Sequence, residues 1–90
     1  MKVQAEISLY PLRENELTGP IQQFIRALKD HNLIIKTGAV STLVAGDSGL
    51  VFESLQQAFE QIAEGYDVVM TAKISNACPE LNRGGRFSKE

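Results

Sequence analysis

An α+β fold with the element order β-α-β-β-α-β is predicted by three observations. Residues 3–10 and 67–75 alternate apolar and polar side chains, the period of a half-buried strand. Residues 21–28 and 50–62 instead repeat apolar side chains at helical spacing. Between these two helical patterns lie two short β-branched runs. The chain has 90 residues, 43% of them hydrophobic, so it forms one small domain with a modest core.

The first strand, Val3 to Tyr10, places apolar and polar side chains on opposite faces. The apolar ones are Val3, Ala5, Ile7 and Leu9, and the polar ones are Gln4, Glu6, Ser8 and Tyr10. Amphipathic helices need an apolar sheet face to cover, so we expect both helices to pack on the apolar face of this strand. The polar row stays open and offers an amide, a carboxylate, a hydroxyl and a phenol. It is therefore the candidate site.

The first helix follows a loop that begins after Pro11. Thr18 is a possible N-cap and Pro20 suits the first helical turn. The apolar stripe consists of Ile21, Phe24, Ile25 and Leu28. The pair His31-Asn32 is expected to end the helix. His31 there has the simpler interpretation of a residue at the helix C-terminus rather than a general base.

A hairpin and a second helix come next. Residues 33–37 and 40–45 are strand-like, and Gly38 between them permits a turn. Asp47 or Ser48 is expected to cap the second helix, and Gly65 to follow its end. The apolar stripe of this helix is Leu50 or Val51, Leu55, Ala58, Phe59 and Ile62.

The last strand, Asp67 to Ser75, completes the sheet. One face carries Met70, Ala72 and Ile74, and the other carries Val69, Thr71, Lys73 and Ser75. This order of elements predicts a ferredoxin-like sandwich, a four-stranded antiparallel sheet with both helices on one face. Right-handed crossovers predict that the first and third strands are central, as parallel neighbours. We expect the domain to span residues 1–79 and residues 80–90 to form a flexible tail.

Composition argues against several classes of protein. The net charge of -2 gives no general attraction to nucleic acid or to an anionic membrane. The single cysteine, Cys78, allows no internal disulfide and no thiolate metal or cluster site. No apolar run approaches the ~18 residues of a membrane span. We therefore expect a soluble cytoplasmic protein without a metal, a cofactor or catalytic residues.

The open face of the predicted sheet also carries apolar side chains. Val69 projects from it. The register of the third strand decides whether Val40 and Val44, or instead Leu43, project from the same face. The simplest cover for such a face is a second copy of the same sheet, so we expect a homo-oligomer. The alternative is a monomer with ordinary scattered surface valines.

Three segments resemble the thiamine-binding, YkoF-like family. They are Ile-Ser-Leu-Tyr-Pro-Leu at 7–12, Gly-Ala-Val-Ser-Thr-Leu-Val-Ala-Gly-Asp at 38–47 and Val-Met-Thr-Ala-Lys-Ile-Ser at 69–75. The resemblance covers about Val3 to Pro79. It implies the same element order, dimers of paired sheets or tetramers, and binding of thiamine or its hydroxymethylpyrimidine part without turnover.

Such a ligand has an aminopyrimidine edge and a cationic thiazolium. Carboxylates and hydroxyls suit the edge, and a carboxylate or an aromatic face suits the cation. The candidate ligand-binding residues are Glu6, Ser8, Tyr10, Ser41, Thr42 and Asp47.

Each candidate except Glu6 and Ser8 also has a simpler structural interpretation. Asp47 is equally suited to cap the second helix, and Ser41 and Thr42 suit a strand. Tyr10 suits the rim of a subunit interface. The alternative function is an interaction or regulatory domain whose open sheet only assembles subunits.

Overall fold

The predicted element order is confirmed by the computed structural model, which describes residues 1–29 and 32–77. The elements are β1 (Lys2–Pro11), α1 (Thr18–Leu28), β2 (Ile34–Thr37), β3 (Thr42–Asp47), α2 (Ser48–Ala63) and β4 (Val68–Ser75). The expectations for His31, Cys78 and the tail 80–90 lie outside the described residues.

The four strands form one antiparallel sheet in the order β2-β3-β1-β4. The ferredoxin-like α+β fold is thereby confirmed, with β1 and β3 in the centre. The expectation that these two strands are parallel was wrong, because β3 pairs antiparallel with β1. The crossover through α1 brings β2 back parallel to β1, and the β2–β3 hairpin then reverses the chain before β3 enters the centre.

Both helices cover the apolar face of β1, as predicted. Val3, Ala5 and Ile7 are buried, and Leu9 packs against the same core. The helices contribute Phe24, Ala27, Leu28, Val51, Leu55, Ala58 and Ile62. Directly opposite Ala5, Val44 of β3 completes the centre of the core and is fully buried. No helix among the described residues is long and apolar enough to cross a membrane.

The predicted cap of α1 is wrong, and the predicted cap of α2 is right in position but makes no cap hydrogen bond. Thr18 is the first residue of α1 and Leu17 takes the N-cap position, with no side-chain cap hydrogen bond. Asp47 does occupy the N-cap position of α2, but its carboxylate makes no cap hydrogen bond either. Its Oδ1 lies 3.3 Å from the amino group of Met1 instead. The pairing of Lys2 with Asp47 places Met1 beside this carboxylate and so gives it an oppositely charged partner.

The third strand begins two residues later than predicted, at Thr42. The reason is a turn formed by residues 38–41, in which the Gly38 N–H donates to the Ser41 carbonyl at 2.8 Å. Val40 lies in this turn with 87% of its surface exposed. It therefore belongs to neither face of the sheet.

Substitution of Ser54 by alanine is expected to stabilise the fold. Ser54 lies on α2, is fully buried, and its Oγ has no hydrogen-bond partner among the described residues. A buried hydroxyl without a partner costs roughly 1–3 kcal/mol, and alanine is also the better helix former. We expect Ser54→Ala to raise the free energy of unfolding by about 1 kcal/mol in urea denaturation.

Ser48→Ala, at the first position of the same helix, is the control and is expected to change stability by less than about 0.5 kcal/mol. A loss of stability in Ser54→Ala would contradict this account of the buried hydroxyl.

Candidate functional site

The open face is the face of the sheet opposite the helices. Its side chains form cross-strand rows, because residues paired between neighbouring strands project to the same side. One row, called the charge row below, crosses all four strands and consists of Lys36, Leu43, Glu6 and Lys73. On one side of this charge row lies a row of Ile34, Ala45, Gln4 and Ser75, and on the other side Ser8 pairs with Thr71.

The turn at 38–41 is held against β1 by two side-chain hydrogen bonds. The Ser41 Oγ donates to the Glu6 carboxylate at 3.1 Å, and the Ser8 Oγ donates to the Val40 carbonyl at 3.4 Å. Three of the predicted site residues, Glu6, Ser8 and Ser41, are thus brought together at one end of the sheet.

A cavity of about 90 Å³ opens beside this cluster, between α1, β1 and the turn. Its lining consists of Ile7, Ser8, Leu9, Ile21, Phe24, Ile25 and residues 37–42. None of these side chains is charged. Ser8, Ser41 and Thr42 provide hydroxyl groups, and the rest of the wall is apolar apart from Thr37. The cavity is smaller than the ~300 Å³ at the lower end of sites for drug-sized ligands, so its size suits a single ring.

Thr42 lies on a different face from the one predicted. It pairs with Ile7 and is only 7% exposed, on the helix side of the sheet rather than on the open face beside Glu6. The strand alternates sides at every residue, so the register that turns Leu43 outward turns Thr42 inward. Thr42 nevertheless lines the cavity, from the inner side.

Two other candidates stand apart from the cluster. Asp47 pairs with Lys2, four residues before Glu6 on β1, a separation of roughly 13 Å along the strand. Tyr10 lies beyond Ser8 in the polar row, is 53% exposed and pairs with Val69. The structure therefore brings Asp47 to the far end of the sheet and leaves Tyr10 at the near end.

The apolar part of the open face also needs correction. Val44 is in the core and Val40 is in the turn, so Leu43 is the residue of β3 that projects outward. Val69 projects from the same face on β4, which lies on the other side of β1. Ile34 of β2, 55% exposed, belongs to this face too and was not predicted.

Sequence reasoning also missed the inner wall of the cavity and the charge row. Phe24 and Ile25 were assigned only to the apolar stripe of α1, although both line the cavity. A signal for the charge row was available, since the polar positions of the strands already placed Glu6 and Lys73 on one face. Their pairing depended on register, which the alternation alone does not define.

Among the described residues, no group of three or more His, Cys, Asp or Glu side chains lies close enough together to hold a metal ion.

The chain is a small ferredoxin-like domain with an uncharged cavity at one end of its sheet. The chain belongs to the YkoF-related family, whose model matches residues 2–81. Comparison with curated proteins finds no match.

Solved structures share the fold. A hypothetical protein from Methanocaldococcus jannascii is 27% identical with a TM-score of 0.78, over 83% of this chain and 79% of that one. A protein from Streptococcus pneumoniae is 21% identical with a TM-score of 0.79, over 83% and 86% of the two chains. A Thermotoga maritima protein, whose name proposes a role in thiamine biosynthesis or salvage, is 18% identical with a TM-score of 0.77, over 83% of both chains.

Substitution of Gly38 is expected to disturb the turn that encloses the cavity. A Cβ at this position would lie 3.0 Å from the Ser41 carbonyl oxygen, a backbone atom that cannot move without changing the turn. We expect Gly38→Ala to lower the free energy of unfolding by about 1 kcal/mol and to shift the amide resonances of residues 38–42.

Gly65→Ala is the matched control, because a Cβ there meets nothing within 4 Å. Equal effects of the two substitutions would show that crowding at Gly38 is unimportant.

Proposed function

We propose that this protein is a non-catalytic small-molecule binding protein of the cytoplasm that holds thiamine or its hydroxymethylpyrimidine part and acts as a homo-oligomer. The observation that carries the proposal is the convergence of Ser8, Ser41 and Thr42 on one uncharged, ring-sized cavity. Membership of the YkoF-related family and the thiamine-related name of one structural neighbour support the choice of ligand.

The chemistry of the cavity suits an aminopyrimidine. The Ser8 and Ser41 hydroxyls donate their protons to Val40 and Glu6, so their oxygens can accept hydrogen bonds from the amino group of the ring, and apolar walls suit its faces. The cavity has no charged lining residue, so the neutral ring is the part of thiamine expected inside it. Glu6, joined to the cavity wall through Ser41, is the partner proposed for the ligand's amino group or thiazolium.

A second candidate function is self-assembly alone. Tyr10, Val69 and Ile34 are each roughly half exposed on the open face, and such side chains favour contact with another protein surface. In this alternative the sheet joins subunits and the cavity has no ligand.

Isothermal titration calorimetry separates the two functions. Thiamine and hydroxymethylpyrimidine are each titrated into the protein, with tetramethylammonium as the control cation. The proposal predicts saturable binding of the first two compounds and none of the third. Binding of neither pyrimidine compound, in a protein that still assembles, would favour the self-assembly domain.

A further inference from the structure

We propose that the cavity recognises an amino group beside a ring nitrogen, with Thr42 as the donor to that nitrogen and Ser8 and Ser41 as the acceptors of the amino hydrogens. Rings that carry an oxo group in place of the amino group are then rejected. This inference rests on the proposed function, because it concerns the same cavity, and it adds the hydrogen-bonding pattern that a ligand must present.

The serine hydroxyls of the cavity have no proton left for a ligand. The Ser8 Oγ donates to the Val40 carbonyl at 3.4 Å, and the Ser41 Oγ donates to the Glu6 carboxylate at 3.1 Å. A carbonyl and a carboxylate have no hydrogen to give, so the direction of both hydrogen bonds is fixed. Each serine oxygen therefore meets a ligand only as an acceptor.

The Thr42 hydroxyl, by contrast, is free to donate. Thr42 is 7% exposed and lines the cavity. Within residues 1–29 and 32–77 its hydroxyl makes no hydrogen bond, yet its oxygen is not enclosed by protein as the Ser54 Oγ is. The small open surface of Thr42 thus faces the cavity. A buried hydroxyl without a partner is costly, so an acceptor atom of a ligand would satisfy a group that the fold leaves unpaired.

Thr37 is the other threonine of the lining, and it differs from Thr42 in burial. It is exposed, at the end of β2. Water can satisfy an exposed hydroxyl whether or not a ligand is bound, so a hydrogen bond from Thr37 to a ligand adds little net free energy. Discrimination between rings therefore depends on Thr42.

An aminopyrimidine is complementary to this wall. Its amino group donates to the oxygens of Ser8 and Ser41, and the adjacent ring nitrogen accepts from Thr42. The corresponding pyrimidinone carries a carbonyl and a ring N–H at the same two positions. Its carbonyl would meet serine oxygens that have no proton to donate, and the Thr42 proton would have no acceptor. The amino ring is therefore preferred over the oxo ring.

The order of the polar side chains also orients the ligand. Glu6 is joined to Ser41 by a hydrogen bond, and Thr42 follows Ser41 on the inner side of the sheet. Around the pyrimidine of thiamine, the carbon that leads to the thiazolium, the carbon with the amino group and a ring nitrogen follow one another. These three positions meet Glu6, Ser41 and Thr42 in the same order. The thiazolium thus lies towards the open face, and the ring nitrogen points inward.

Calorimetry on the unmutated protein tests the preference for the amino ring. Hydroxymethylpyrimidine is compared with its oxo analogue, in which a carbonyl replaces the amino group and the adjacent ring nitrogen carries a hydrogen. The oxo analogue is expected to bind at least about fivefold more weakly, the effect of leaving one buried polar group unpaired. Equal or tighter binding of the oxo analogue would overturn the inference.

Thr42→Val tests the donor, because valine keeps the shape of threonine and lacks the hydroxyl. We expect it to weaken binding of hydroxymethylpyrimidine about three- to tenfold. Binding of a benzene analogue, in which carbon replaces both ring nitrogens, should change by less than about twofold. Thr42→Ser keeps the hydroxyl and should retain the affinity for the pyrimidine. Thr71→Val makes the same exchange on the open face, outside the cavity lining, and is the matched control.

Equal losses for the pyrimidine and the benzene analogue in Thr42→Val would show that Thr42 only packs against the ring. That result would overturn its role as a donor.

Unsubstituted rings separate this inference from the choice of thiamine as the ligand. We expect aminopyrimidine to shift the amide resonances of residues 37–42 at a lower concentration than pyrimidinone does. Such a preference without any binding of thiamine would refute the proposed ligand and retain the recognition pattern. Binding of thiamine without a preference for the amino ring would retain the function and refute the pattern. No response to either ring, in a protein that does not bind thiamine, would refute both.

Discussion

Glu6→Gln is expected to weaken thiamine binding roughly ten- to a hundredfold while leaving the fold intact. The amide keeps the shape of the carboxylate, and its oxygen can still accept the hydrogen bond from Ser41. Only the negative charge is lost, and a hydrogen bond to a charged group contributes roughly 1.5–3 kcal/mol, which corresponds to this loss of affinity. Glu6 is exposed, so its replacement should change the free energy of unfolding by less than about 0.5 kcal/mol.

Two further variants make the Glu6 result interpretable. Glu14→Gln removes an exposed carboxylate from the loop before α1 and should bind thiamine like the unmutated protein. Ser8→Ala removes a hydroxyl that lines the cavity and should weaken binding of both thiamine and hydroxymethylpyrimidine. If Glu6→Gln and Ser8→Ala both bound every thiamine fragment as tightly as the unmutated protein, self-assembly alone would be the better account of the open face.

Val69→Lys is expected to weaken self-association at least about tenfold. Val69 is 46% exposed on the open face, so burying the rest of its side chain contributes about half of the 1.5–3 kcal/mol of a fully exposed valine. A symmetric interface contains each residue twice, so the substitution removes two such contributions and places two charges between the sheets. Sedimentation equilibrium over a range of protein concentrations measures the change.

Phe52→Lys is the matched control for the assembly experiment. Phe52 is 55% exposed, but it lies on α2, in the helical layer rather than on the open face. Assembly through open faces predicts no change in this variant. A monomeric unmutated chain at ~100 μM, far above the dissociation constant of a stable assembly, would refute the homo-oligomer itself.

The order of the elements could be predicted from the sequence because each has a strong local signal. The alternation from Val3 to Leu9 defines which face of β1 is buried, whatever the position of the strand in the sheet. The repeat from Ile21 to Leu28 defines the buried side of α1 in the same way. The apolar face of β1 then determined where the helices pack. Glu6, Ser8 and Tyr10 could be placed in one row for the same reason.

Tertiary structure alone decided which side chains of different strands meet. A shift of one residue in β3 exchanges Thr42 with Leu43 between the two faces, and the turn at 38–41 selects the register. That choice placed Thr42 on the inner wall of the cavity, and the separate pairing of β4 with β1 aligned Glu6 with Lys73. The cavity required α1 to lie across the end of the sheet, a contact between segments far apart in sequence. Asp47 occupies the predicted N-cap position, but its carboxylate contacts the amino group of Met1, which only the pairing of β1 with β3 brings to it.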